Sequence, residues 1–170
     1  MRDYSYEYEW DLEYCYPHSN VLKNKLNITN SHALEIAERE ITSLKLAYAK
    51  KIPIKGTFDL THLQAIHHFL FSDIYEWAGQ LRHVNIAKGN QFCLAMHLNT
   101  YAQKLFSGLR KENYLTDCPN IAHRLAFYLS ELNVLHPFRE GSGRTQRLFI
   151  EYLAAMLDIT LIFPLLLPTK

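Results

Sequence analysis

Twelve consecutive residues, His136-Pro137-Phe138-Arg139-Glu140-Gly141-Ser142-Gly143-Arg144-Thr145-Gln146-Arg147, gather the side chains best suited to chemistry on a phosphate. Gly141-Ser142-Gly143 lets successive backbone N–H groups turn toward one point, an anion-binding nest. An apolar helical pattern follows at once, so the unpaired amides and positive dipole end of a helix converge there too. Arg144 and Arg147 lie three apart, neighbours on one helical face, and both can reach oxyanions. Glu140 offers a hard oxygen suited to magnesium, which binds through one or two carboxylates together with substrate phosphates. His136, with an ordinary pKa of roughly 6.5, can accept a hydroxyl proton at neutral pH. Each feature alone has a plainer reading: a helix-ending histidine, a turn, a solvated pair of arginines. In this order, ahead of a helix, they favour phosphate chemistry. No Gly-Lys-Ser/Thr follows a strand, so the loop is not of the Walker type.

The elements that must position these residues are legible as periods. Leu34, Ala37, Ile41, Leu44 and Tyr48 recur at three- and four-residue steps and predict an amphipathic helix over 31–50. A second helix is expected from Asp59 as N-cap, with Leu63, Ile66, Leu70 and Ile74 on one face, ending at Gly79. Between 82 and 93 the pattern alternates, with Val84 and Ile86 before a Lys88-Gly89-Asn90-Gln91 turn and Phe92 after it, which predicts a hairpin. Helical spacing returns at Leu98, Tyr101, Leu105 and Leu109, and again at Ile121, Leu125, Leu129 and Leu132, where Pro137 stops it. The last helix begins near Gly143 and carries Leu148, Phe149, Tyr152 and Leu153. Residues 1–28 form an irregular, tyrosine-rich lead-in, and 159–167 form an apolar tail interrupted by Pro164. The expectation is one mainly helical domain over 1–170 with a single hairpin.

Composition narrows the function. Eighteen basic against seventeen acidic residues, a net charge of +1, offer no electrostatic footprint for nucleic acid. No apolar run reaches the roughly 20 residues of a membrane span, and the opening is too acidic for a secretory signal. Three widely spaced cysteines suit reduced thiols, so a cytoplasmic protein is expected. His62, His67 and His68 lack the i, i+4 spacing of a metalloprotease pair, and His67 reads as a core histidine. Tyr4, Tyr6, Tyr8, Tyr14 and Tyr16 are candidate acceptors for automodification.

The loop residues resemble the signature of the Fic (filamentation-induced-by-cAMP; Fic/Doc) family, His-Pro-Phe-x-Asp/Glu-Gly-Asn-Gly followed by arginines. The stretches Asp73-Ile74-Tyr75-Glu76-Trp77-Ala78-Gly79-Gln80-Leu81-Arg82 and Ile86-Ala87-Lys88-Gly89 are also similar to that family, and the likeness covers about residues 30–157. The resemblance implies an all-α bundle with one β-hairpin flap, and transfer of AMP from ATP to a Ser, Thr or Tyr hydroxyl of another protein. It makes His136 the general base, Glu140 the Mg²⁺ ligand, Phe138 the anchor of the loop, Gly141 and Gly143 the shapers of the anion hole, and Arg144 and Arg147 the phosphate ligands. Gly143 in place of lysine points to the AMP-transferring subgroup. The hairpin becomes the flap, with Lys88 and Phe92 against the target by strand addition.

Two departures carry expectations of their own. Ser142 stands where the family has asparagine, so one positioned phosphate donor is lost and a slow enzyme is expected. The family's internal inhibitory pattern, Ser/Thr-x-x-x-Glu-Gly/Asn, is not met at Ser5/Glu9, Ser31/Glu35 or Ser72/Glu76, which Trp10, Ile36 and Trp77 follow. That resembles the toxin-like branch, in which a separate small helical antitoxin supplies the glutamate and targets include bacterial type II topoisomerases. Three other readings fit parts of the chain: a nucleotide-binding module that has lost transfer, an enzyme using a different nucleotide donor, and a DNA-reading helix pair presenting Arg144, Gln146 and Arg147.

Overall fold

The computed structural model describes residues 12–163. The expectations for Tyr4, Tyr6 and Tyr8, and for the apolar tail beyond Phe163, lie outside the described residues. Helix α1 runs Ser31–Lys51, opened by Asn30, whose side chain accepts the Ala33 N–H at 2.9 Å. Helix α2 runs Leu60–Phe71 behind Asp59, which accepts the His62 N–H. Helices α3 (Leu98–Lys111), α4 (Ile121–Leu135) and α5 (Ser142–Met156) complete the set. One short 3₁₀ turn, Ala95–His97, leads into α3, and another, Asn113–Leu115, follows it. No helix among the described residues is long and apolar enough to cross a membrane.

Helix α5 is the hub, packed against both α2 and α4. Its Leu148, Phe149, Ile150, Leu153 and Ala154 meet Leu63, Ile66 and Leu70 of α2 and Leu125, Leu132 and Leu135 of α4 in one buried cluster. Each such leucine, isoleucine or phenylalanine contributes about 1.5–3 kcal/mol by leaving water. The cluster therefore clamps both ends of the loop between α4 and α5, where the chemistry-bearing residues lie.

Two expectations change in detail. Helix α2 ends at Phe71 and not at Gly79, because the Ile74 and Tyr75 N–H groups both fall back on the Phe71 carbonyl. The apolar period through Ile74 belongs to a helix and the turns after it, which bury Ile74, Tyr75 and Ala78 as a longer helix would. The hairpin expected over 82–93 pairs only Ala87–Lys88 (β1) with Asn90–Gln91 (β2), antiparallel around Gly89 at φ 75°. Its flanks leave the ladder because the Val84 and Cys93 carbonyls accept from the Arg82 guanidinium. Tyr14 is buried at 4% exposure, which removes it from the candidate acceptors for automodification.

Candidate active site

Helix α4 stops at His136, which caps it in the left-handed region (φ 40°, ψ 64°) while its N–H donates to the Leu132 carbonyl. Pro137 cannot continue a helix, and Phe138 plunges into the core with no exposed surface. There its ring lies parallel to His67 of α2, centroids 3.8 Å apart. The chain then turns through Gly141 at φ 79°, the N-cap of α5. A β-carbon there would meet the Phe71 ring at 2.2 Å, so glycine is required by both conformation and space.

His67 holds the loop from below. Its Nδ1 accepts the Gly79 N–H at 2.7 Å, so the ring proton sits on Nε2, which donates to the Glu140 carbonyl at 2.9 Å. Burial pushes its pKa down to about 3 and keeps it neutral. The reading of His67 as a core histidine holds, and it has a second task that the sequence did not disclose. The Gly141 N–H donates to the Glu140 carboxylate at 2.8 Å, so the peptide between them is tied at both ends.

The two arginines of α5 divide their work. Arg144 is committed to the protein: it donates to Glu38 and Thr42 of α1, reaches Glu140 at 3.3 Å and lies over the Phe71 ring. Burial opposes its charge, and Glu38 and Glu140 more than offset that, raising its pKa. Glu38 also accepts from the Tyr75 hydroxyl. Arg147 makes no ion pair among the described residues, and burial and then Arg144 depress its pKa. Its guanidinium folds over Gly143, 3.4 Å from the place of a β-carbon there. Glu140 is pushed toward its protonated form by burial and then by Glu38. Such a carboxylate gains from an added cation.

Ser142 is 2% exposed, and its hydroxyl accepts the Phe138 N–H and donates to the Phe138 carbonyl, both at 3.2 Å. That hydroxyl faces the loop backbone. His136 is buried to 9% exposure, with Phe92 of the hairpin stacked on its ring at 3.9 Å. Its Nδ1 is enclosed without a well-formed hydrogen bond, although the Asn133 carbonyl still favours the protonated ring. Burial, then Arg82 and Lys88, outweigh that carbonyl and bring the His136 pKa down to about 4.

Nine of the sequence-derived candidates line one open cavity of about 480 Å³, Lys88, Phe92, His136, Glu140, Gly141, Ser142, Gly143, Arg144 and Arg147, while Phe138 anchors the loop in the core beneath it. Asn133 and Gln146 join them there. Sequence reasoning missed Glu38, Thr42 and the loop-holding role of His67. For Arg82 a signal existed, the family-like stretch 73–82 that ends on it.

Comparison with known proteins places this geometry. The Bartonella tribocorum effector BepC, solved with bound AMPPNP, superposes with a TM-score of 0.79 over 88% of this chain and 80% of its own, at 25% identity. The probable protein adenylyltransferase Fic of Escherichia coli is 42% identical over 145 residues, 83% of this chain and 71% of that protein. The protein adenylyltransferase VbhT of Bartonella schoenbuchensis is 40% identical over 144 residues, 83% of this chain and 30% of that protein. The fold is thus that of a helical domain shared with nucleotide-handling proteins. The Fic/DOC family model matches residues 57–154, and the chain belongs to that family.

Proposed function

We propose that this protein is a protein adenylyltransferase, moving AMP from ATP to a Ser, Thr or Tyr hydroxyl of a target protein. The observation that carries this is the shared cavity, which sets His136 and Phe92 at one end of the loop and Glu140, the nest and Arg147 at the other. The relatives named as adenylyltransferases, and the AMPPNP-bound relative, support it.

In this reading the target oxygen attacks the α-phosphorus and forms the new P–O bond. The bond to the β-phosphate oxygen breaks and pyrophosphate leaves. The hydroxyl proton passes to His136 Nε2, the nitrogen left available once Nδ1 is enclosed. The depressed pKa keeps His136 unprotonated at neutral pH, ready to accept it. Arg147 and the α5 amides take the outer phosphate oxygens, with Gly141 and Gly143 shaping the hole and Arg144 serving mainly to orient Glu140. Catalysis is then positioning and charge stabilisation.

The residues fit a magnesium ion. No group of three or more His, Cys, Asp or Glu side chains forms a protein-only cage among the described residues, and one cation-favouring carboxylate faces the cavity. That donor set suits a cation that completes its shell with phosphate oxygens and water. Glu140 would hold it, and bound there it would neutralise charge developing on the phosphates. The hairpin is the flap, with Lys88 and Phe92 against the target. Ser142, its hydroxyl spent on Phe138, leaves the enzyme slow. By the same resemblance we assign it to the cytoplasm, to the toxin-like branch with a separate antitoxin, and to targets such as type II topoisomerases.

ATP labelled at the α-phosphate, offered with Mg²⁺ and bacterial lysate, tests the reading. Label should appear on a protein band with the wild type and vanish with His136→Ala. ATP binding without label transfer would overturn it in favour of a binding module.

A further inference from the structure

Arg82 lies fully inside the protein at 2% exposure, where its guanidinium donates to main-chain oxygens. Its Nε donates to the His136 carbonyl at 2.8 Å and its Nη1 to the Val84 carbonyl at 2.6 Å. Nη2 donates to Cys93 and, at 3.5 Å, to Leu135, while the Arg82 N–H itself donates to the Pro137 carbonyl at 2.9 Å. The fork therefore binds three things at once: the incoming leg of the hairpin, the outgoing leg, and the end of α4 where His136 sits.

The physics favours an arginine here. Leu135 and His136 end a helix, where carbonyls lack partners and the dipole is negative. A planar, permanently charged fork can satisfy several such oxygens together, which a lysine ammonium on its flexible stem cannot match. The outgoing leg is held a second time, because the Cys93 N–H donates to the Val134 carbonyl of α4 at 2.9 Å. The ladder of β1 and β2 is two residues a side and would not hold the hairpin in place alone. With both legs fastened, Phe92 rests on the His136 ring.

We propose that Arg82 is a positioning residue that fastens the hairpin to His136, so that a target segment lying on the hairpin is held in register with the base. This rests on the adenylyltransferase reading for its consequence in catalysis, though not for the fastening itself. The groups around His136 are Arg82 and Lys88 from the hairpin side and Glu140, Arg144 and Arg147 from the loop and α5. The Arg82 guanidinium is spent on the carbonyls of Val84, Cys93, Leu135 and His136, on the hairpin side of the loop, so ATP binding should survive its replacement.

The test uses Arg82→Lys and Arg82→Gln in the full chain. With Arg82→Lys, ATP affinity should stay within about twofold while the transfer rate falls about tenfold or more, as misplacement of a reacting group predicts. With Arg82→Gln, the His136 ring should titrate at higher pH by NMR, and amides 84–93 should exchange faster while α1 and α2 amides stay as they were. A merely structural role would loosen all helices together and move ATP affinity with the transfer rate, and that result overturns the proposal. So does an Arg82→Gln protein whose hairpin exchange and His136 titration match the wild type. Should neither variant fold, the wild type decides: its Cys93 amide must exchange as slowly as those of α4, and fast exchange sinks the proposal. Should the wild type transfer no AMP, the adenylyltransferase reading fails, and the exchange and titration readouts still judge Arg82.

Discussion

Acidification from pH 7 to pH 5 should remove about 4 kcal/mol of folding stability through two histidines that the folded chain keeps neutral. His67 has no exposed surface and a pKa near 3, and His136 is 9% exposed with a pKa near 4. Both are free to protonate at roughly 6.5 once the chain unfolds. Between those values the unfolded state binds more protons than the native state, so stability falls as pH falls. The contribution is whole above the unfolded pKa, is lost through the window below it, and loses nothing more beneath the folded pKa. At pH 5 each residue costs about 2 kcal/mol by that linkage. His62, also depressed by burial, adds in the same direction. Glu140 works against them, because its raised carboxyl takes up a proton more readily when folded. Asp59 and Glu112, held low, matter only in stronger acid. Urea unfolding at the two pH values measures the total, and His136→Asn isolates one share. Asparagine tolerates the left-handed backbone at φ 40° and should shrink the pH difference by about 2 kcal/mol. Equal urea midpoints at both pH values, or an NMR titration of His136 near the ordinary imidazole value, would refute the reasoning.

Gly141→Ala should cost about 3 kcal/mol, since its β-carbon would stand 2.2 Å from the Phe71 ring at a φ of 79°. Thermal unfolding checks it, and a wild-type melting temperature would show the turn to be more pliable than the packing implies. Ser142→Asn should raise the initial rate of AMP transfer about ten- to a hundred-fold by restoring a positioned donor. An unchanged rate would show that serine at this position does not slow the transfer.

The loop at 136–147 was legible because its groups are contiguous, and the helices were legible because burial follows a period. Helix α2 was overextended for the same reason: Ile74 continues the apolar spacing although the hydrogen bonds have already closed on Phe71. What stayed hidden depends on long-range pairing. Glu38 meets Arg144 across 106 residues, and nothing near Glu38 marks it off from its solvated neighbours on α1. His67 was recognisable as buried, yet its partner is the Glu140 carbonyl 73 residues on, and a backbone oxygen leaves no trace in a side-chain pattern. Arg82 is hidden in the same way, because its guanidinium donates to the main-chain oxygens of Val84, Cys93 and His136.

The contact of Arg144 with α1 bears on what can be cut away. The family model begins at residue 57, whereas Glu38 and Thr42 lie before it, on a helix whose Leu34 and Ala49 are buried in the common core. A fragment trimmed to the family boundaries would keep every signature residue and still strip the guanidinium of its counter-charge, leaving Glu140 as its only carboxylate neighbour of the two. The smallest transplantable unit is therefore longer than the recognisable one, and any chimera or minimised scaffold built from this chain must carry the first helix along.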